Sequence, residues 1–189
     1  MPAFTVDLSK DGLWEEAAAV GEARALHHIA DREAKGKPWP RMRGRLMTRN
    51  ELISQDLQGA VAEAVIASLT GGVWDKGVGE QHWGGSDIRL PCGEVIEVKS
   101  SHHPNARLFI RPDAPIDDYA VLVIVNHATR IVTLPGWVGI ADGISRAVFG
   151  EMSKSPPCYE LVQEQLSPFT DLLTHLEQTC LQRPVTSSR

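Results

Sequence analysis

The chain has 189 residues, 42% of them hydrophobic and 23% charged, with a formal net charge of -5. That balance suits one soluble domain and excludes a uniformly basic nucleic-acid coat. It leaves room for a local basic patch: residues 24–49 hold eight basic and two acidic side chains, a segment of +6 against -11 for the rest.

The opening residues carry no basic stretch followed by an apolar one, so they do not read as a secretory signal. The longest clean apolar run, Ala120 to Val125, is too short to span a bilayer. Cys92, Cys158 and Cys180 are odd in number and scattered, which argues against a disulfide scaffold. The expectation is a cytoplasmic or otherwise intracellular protein in a reducing setting, with no membrane partner.

In chain order, the alanine-rich residues 9–34 predict a helix, capped by Ser9 or Asp11, with an apolar stripe through Trp14, Ala18, Gly21, Ala25 and Ile29. Gly36, Pro38 and Pro40 break it, and the basic residues 35–49 read as a loop or extended link anchored by Trp39 and Met42. Residues 51–69 predict the clearest helix, with Asn50 as N-cap and Gly71-Gly72 as its end. Val73-Trp74 starts a sheet. Ser86 to Leu90 and Val95 to Lys99 flank Pro91-Cys92-Gly93 as a hairpin. Arg107 to Arg111 predicts a third strand. Tyr119 to Val125 predicts a central strand, paired with Arg130 to Leu134 across a turn at Asn126-His127. A short helix over 139–149 and a terminal helix over 163–182 complete the chain. The expected organisation is an N-terminal helix and basic connection over 1–50, a core over 51–162, and a C-terminal helix and tail over 163–189.

The chemistry-bearing pattern is Asp87 followed by Glu97-Val98-Lys99. Alternate strand residues share a face, so Glu97 and Lys99 emerge together. Asp87, on the other arm of the hairpin, is placed to meet Glu97. Two adjacent carboxylates repel unless a cation joins them. Oxygen ligands favour Mg²⁺, with Mn²⁺ able to substitute. Glu63 lies at the edge of the apolar face of the helix over 51–69, near Asp56 in angle. Gly59, one turn earlier, would permit close approach of the sheet. Singly, each residue also reads as surface charge: an exposed glutamate, or an ion pair on a solvated face.

With Glu63 on the first core helix, Gly85-Ser86-Asp87 before the turn and Glu97-Val98-Lys99 on the next strand, the sequence resembles the PD-(D/E)xK nuclease superfamily over residues 51–134. The resemblance implies an α/β fold: a single domain with a mixed central β-sheet flanked by helices and a restriction-endonuclease-like αβββαβ core. It further implies that Asp87, Glu97, the backbone carbonyl of Val98 and Glu63 hold Mg²⁺, directly or through water, with Lys99, Glu63, Asp87 and Glu97 as the catalytic set. Ser86 stands where the family's nominal proline would be, and no helix is evident between the third and fourth core strands.

The function so implied is metal-dependent hydrolysis of phosphodiester bonds in DNA. The alternatives are a non-catalytic DNA-binding or structural protein on a nuclease-like scaffold, and metal hydrolysis of a smaller phosphate ester. Arg41, Arg43 and Arg45 are candidate phosphate contacts, and Ser101, on the parity of Lys99, a further substrate contact. His102 and His103, and His82 and Trp83, read either as aids to substrate binding or as ordinary packing. A homodimer would suit double-strand cleavage.

Overall fold

The structure, a computed structural model, describes residues 3–10, 12–42, 45–79, 87–150 and 157–182, with the side chains of 41 and 42 set aside. The elements in chain order are β1 (Phe4–Asp7), α1 (Leu13–Ala34), β2 (Arg41–Met42), β3 (Arg45–Leu46), α2 (Arg49–Thr70), β4 (Val73–Trp74), β5 (Ile88–Arg89), β6 (Val95–Ser101), β7 (Leu108–Ile110), β8 (Tyr119–Asn126), β9 (Ile131–Gly139), α3 (Ile140–Arg146), β10 (Val148–Gly150), β11 (Cys158–Leu161) and α4 (Phe169–Gln182).

The fold is α/β, with a mixed central sheet flanked by helices. Six strands lie in the order β1-β9-β8-β6-β5-β4. β6 and β8 are parallel, from Ile96↔Tyr119 to Ser101↔Ile124, and the other neighbours are antiparallel. A second, three-stranded sheet runs β10-β11-β7. The expected third strand around residues 107–111 therefore forms, but in this second sheet. No helix stands between β6 and β8, and β7 occupies that connection.

β8 explains its own sequence. Val121, Val123 and Val125 pack with Ile96 and the buried residues of α2 and α4 on one face. Ala120, Leu122 and Ile124 pack with Leu108, Ile110 and Leu161 on the other. A strand covered on both faces needs an unbroken apolar run rather than alternation.

α2 starts two residues earlier than Asn50 suggests. Thr48 is the N-cap: its Oγ1 accepts from the Glu51 N–H, while the Glu51 carboxylate accepts from the Thr48 N–H at 2.8 Å. This reciprocal capping box satisfies two helix-end donors, which Asn50 cannot do from inside the helix. α1 is likewise not capped by Ser9. Its N-cap is Gly12 at φ 74°, with no side-chain cap, and Asp11 lies outside the described residues. Trp39 packs with Ile29, Met47 and Leu52, whereas the Met42 side chain lies outside the described residues.

Gly21 sets the spacing of α1 and α2. A Cβ there would stand 2.4 Å from Leu57 Cα. Gly59 has no such role, since its Cβ would meet only Glu63 Oε1 at 3.9 Å. The close approach lies between the helices, not between α2 and the sheet.

The expected absence of a disulfide is also corrected. Cys92, in the β5–β6 turn, and Cys180, in α4, are bonded across 88 residues of sequence, leaving Cys158 as a free thiol. Among the described residues, no helix is long and apolar enough to cross a membrane.

Candidate active site

The β5–β6 hairpin positions the site. Gly93, at φ 89°, lets the turn close, with Leu90 and Glu94 bonded across it at 2.9 Å. Ile88 pairs with Ile96, so the next step outward sets Asp87 opposite Glu97. β5 ends there. The Asp87 Oδ2 takes over the edge of β6 by accepting from the Val98 N–H at 2.7 Å.

This places the Asp87 carboxyl in a costly environment. Burial pushes its pKa up, and the nearby Glu97 charge pushes it the same way. The Val98 N–H, Lys99 and Arg24 oppose the rise. The two carboxylates expected to meet are thus electrostatically coupled. Glu97 and Lys99 share a strand face, as their spacing demands, and the Lys99 Nζ donates to Glu97 Oε1. Their register partners, Ala120 and Leu122, belong to the second apolar core. Asp118, at the head of β8, has its carboxyl pushed up first by burial and then by Glu97.

Glu63 connects to this group through a residue that the sequence assigned elsewhere. Its Oε2 accepts from Arg24 Nη1 at 2.9 Å, with both side chains largely buried at 14% and 11% exposure. Arg24 also donates to the carbonyls of Asp75 and Gly77. Its charge reaches Asp87 as well. Arg24 is therefore part of the site's interior rather than of an exposed basic surface. The signal was its position: it stands three residues after Gly21, beside the buried stripe of α1.

The other basic residues are largely engaged within their own segment. Lys35 and Lys37 flank Asp31, Arg32 donates to the Pro38 carbonyl at 2.9 Å, and Arg45 pairs with Glu51. The Arg41 side chain and all of Arg43 lie outside the described residues, as do Gly85, Ser86, His82 and Trp83. On β7, Arg107 pairs with Glu160 of β11.

Beyond Lys99, the Ser100 Oγ accepts from Gln58 Nε2 at 3.1 Å, and the Ser101 Oγ accepts from the His103 N–H at 3.1 Å. Both serines line a cleft of about 710 Å³ between α2 and the end of β6. Gln58, buried on α2 and bonded to Ser100 of β6, carries no signal in the sequence that sets it apart from a surface amide.

Among the described residues, no group of three or more His, Cys, Asp or Glu side chains is placed to hold a metal ion. The donor chemistry fits a lighter demand. Mg²⁺ commonly takes one or two carboxylates and completes its shell with water and substrate phosphate. Asp87 and Glu97 can supply that pair. Glu63 is paired with Arg24 at 2.9 Å, as Glu97 is paired with Lys99.

No family model, no curated protein and no solved structure matches this chain.

Proposed function

We propose that this chain is a metal-dependent nuclease that hydrolyses phosphodiester bonds in DNA, on a restriction-endonuclease-like core of the PD-(D/E)xK kind. The observation that carries the reading is the half-buried Asp87 carboxylate, fixed by the Val98 N–H and coupled to Glu97, with Lys99 on the same strand face as Glu97. A fold gains nothing from holding two half-buried carboxylates close together, so their juxtaposition points to use. The order α2, β4, β5, β6 and then a parallel β8 supports the same reading, with β7 in place of the second core helix.

In this reading, Asp87, Glu97 and the Val98 carbonyl hold Mg²⁺, which when bound polarises a phosphoryl oxygen and lowers the pKa of its water. Lys99 supplies a positive charge where negative charge develops on the phosphate, and orients the attacking water. Asp87 is kept in place by the β6 edge. Arg24 positions the site indirectly, tying α1 and Glu63 to the carbonyls of the segment that leads toward Asp87.

The test is a Mg²⁺ and Mn²⁺ titration with linear, circular, branched and single-stranded DNA. Wild type is expected to cut in a metal-dependent manner. Asp87→Ala and Lys99→Ala are each expected to lose roughly a hundredfold to a thousandfold in rate. Equal cleavage by all three proteins, or none by wild type on any substrate, refutes the proposal.

A further inference from the structure

α4 is held to the body unevenly along its length. Phe169, Leu172 and Leu176 are buried in the main core, a spacing that turns one side of the helix inward. Midway, the His175 ring is 2.9 Å from the Tyr119 hydroxyl and stacks on Trp137. Beyond Leu176 this anchoring stops. Of residues 177–181 none is buried, and Leu181 is 87% exposed. Among the described residues, the bond that ties this last stretch to the rest of the fold is Cys92–Cys180.

The other end of that bond is firmly placed. Cys92 sits in the turn of the β5–β6 hairpin, whose arms bury Ile88, Leu90 and Ile96 in the same core. The turn also closes on its own hydrogen bonds: the Gly93 N–H donates to the Leu90 carbonyl and the Leu90 N–H to the Glu94 carbonyl, both at 2.9 Å. Between hairpin and helix lies a cleft of about 370 Å³, with Leu69, Leu90, Pro91, Leu173 and Leu176 in its lining and both cysteines in its wall. The end of α4 is thus bridged to the turn across an apolar gap. Both cysteines are half-buried, so a thiolate can reach the bond without the core opening, and accessible disulfides are the exchangeable ones.

A helical end this short, with no buried side chain of its own, is not stable in water unless something fixes it. With the bond closed, Cys180 fixes it. With the bond open, residues 177–182 fray, while the hairpin and α4 up to Leu176 stay seated.

We propose that Cys92–Cys180 is a redox-reversible latch: reduction by a dithiol releases residues 177–182 and uncovers the cleft, and oxidation closes it. In opening, a thiolate of the reductant attacks one sulfur to form a mixed disulfide, and its second thiol displaces the other cysteine. Two electrons and two protons pass to the cysteines, which become thiols, and the reductant leaves as a disulfide. Exchange with a small-molecule disulfide reverses the step. The latch acts whether or not the neighbouring site cleaves DNA, because the strands beside Asp87 and Glu97 are seated by Ile88 and Ile96.

The experiment is hydrogen exchange read by mass spectrometry on native wild type when oxidised, after dithiothreitol, and after reoxidation with glutathione disulfide. Alkylation of the native protein counts free thiols in each state: one is expected when oxidised and three when reduced. Reduction is expected to speed exchange at residues 177–182 at least about tenfold, as local fraying does, with residues 169–176 and 88–98 changing less than about twofold. Reoxidation is expected to restore the starting rates. Cys180→Ser is expected to exchange at the reduced rate with or without dithiothreitol, and Cys158→Ser, which keeps the pair, to respond like wild type. Three free thiols in the oxidised preparation, a bond that yields only in denaturant, or equal exchange at residues 177–182 in both states overturns the proposal. So does loss of protection throughout the chain on reduction, which would make the bond a staple of the whole fold.

Discussion

Replacing Gly21 by alanine tests the framework that carries the site. The new methyl would stand 2.4 Å from Leu57 Cα and 2.9 Å from both Asp56 O and Leu57 N. Carbon atoms in contact prefer about 3.5–4.0 Å. The obstacle is backbone, which cannot rotate away, so α1 and α2 must separate by roughly 1 Å to restore that distance. The same shift stretches the buried Arg24–Glu63 bridge, now 2.9 Å, beyond hydrogen-bonding range. Alanine gains about 1 kcal/mol over glycine in a helix interior. Overpacking costs about 1–3 kcal/mol. Weakening a buried ion pair adds a fraction of the 3–5 kcal/mol that outright loss of one partner costs.

The net expectation is a loss of about 2–4 kcal/mol, or a Tm fall of about 4–16 °C for a chain of this size. Gly59→Ala is the matched control. It makes the same substitution in the facing helix, where the methyl meets only Glu63 Oε1 at 3.9 Å. It is expected to raise stability by about 0.5–1 kcal/mol. Scanning calorimetry of the two variants decides the matter. A Gly21→Ala protein as stable as wild type, or a Gly59→Ala protein destabilised to the same degree, refutes the account of the helix interface.

Three further outcomes follow from the structure. The Cys92–Cys180 bond closes a loop of 88 residues, so by loop entropy Cys180→Ser is expected to cost about 4.5 kcal/mol, read as a lower urea midpoint and compared with wild type under reducing conditions; an unchanged midpoint in both would show that the bond contributes nothing. The Glu51 carboxyl is held down to about 2 by Arg45 and the Thr48 N–H; its contribution is therefore fully present above its ordinary value of 4.5 and lost as pH falls through about 2. The stability difference between wild type and Glu51→Gln should stay constant from neutral pH down to that ordinary value and then shrink, and a difference that grows on acidification would contradict the sign. Asp87→Asn keeps an acceptor for the Val98 N–H but removes a half-buried charge beside Glu97, so metal-free protein is expected to melt higher while cleavage is lost; a lower Tm would mean that the charge itself holds the hairpin.

The parts of the fold visible in the sequence are those encoded locally. The β5–β6 hairpin is written in Pro91-Cys92-Gly93 and the alternation beyond it, and β8 in its unbroken apolar run. From the hairpin, the meeting of Asp87 with Glu97 follows by counting. β1, β10 and β11 were not legible, because three or four residues carry no period of their own and acquire a state only by pairing with distant strands. The disulfide was invisible for a similar reason. An odd cysteine count says nothing of which two the fold brings together, and here a turn and a terminal helix meet across 88 of the 189 residues. The start of α2 was legible but placed at Asn50: Thr48-x-x-Glu51 is the capping box that the sequence reading passed over, and its reciprocal bond fixes the cap.

Charge shows most clearly how position overrides composition. The stretch from Arg24 to Arg49 has a surplus of six positive charges, which reads as a phosphate-binding surface. In the structure, Arg24 turns inward to Glu63 and two carbonyls, Lys35 and Lys37 serve Asp31, and Arg45 serves Glu51. Cations held in such pairs cannot give the steep counterion release of a duplex-binding groove without first surrendering their partners.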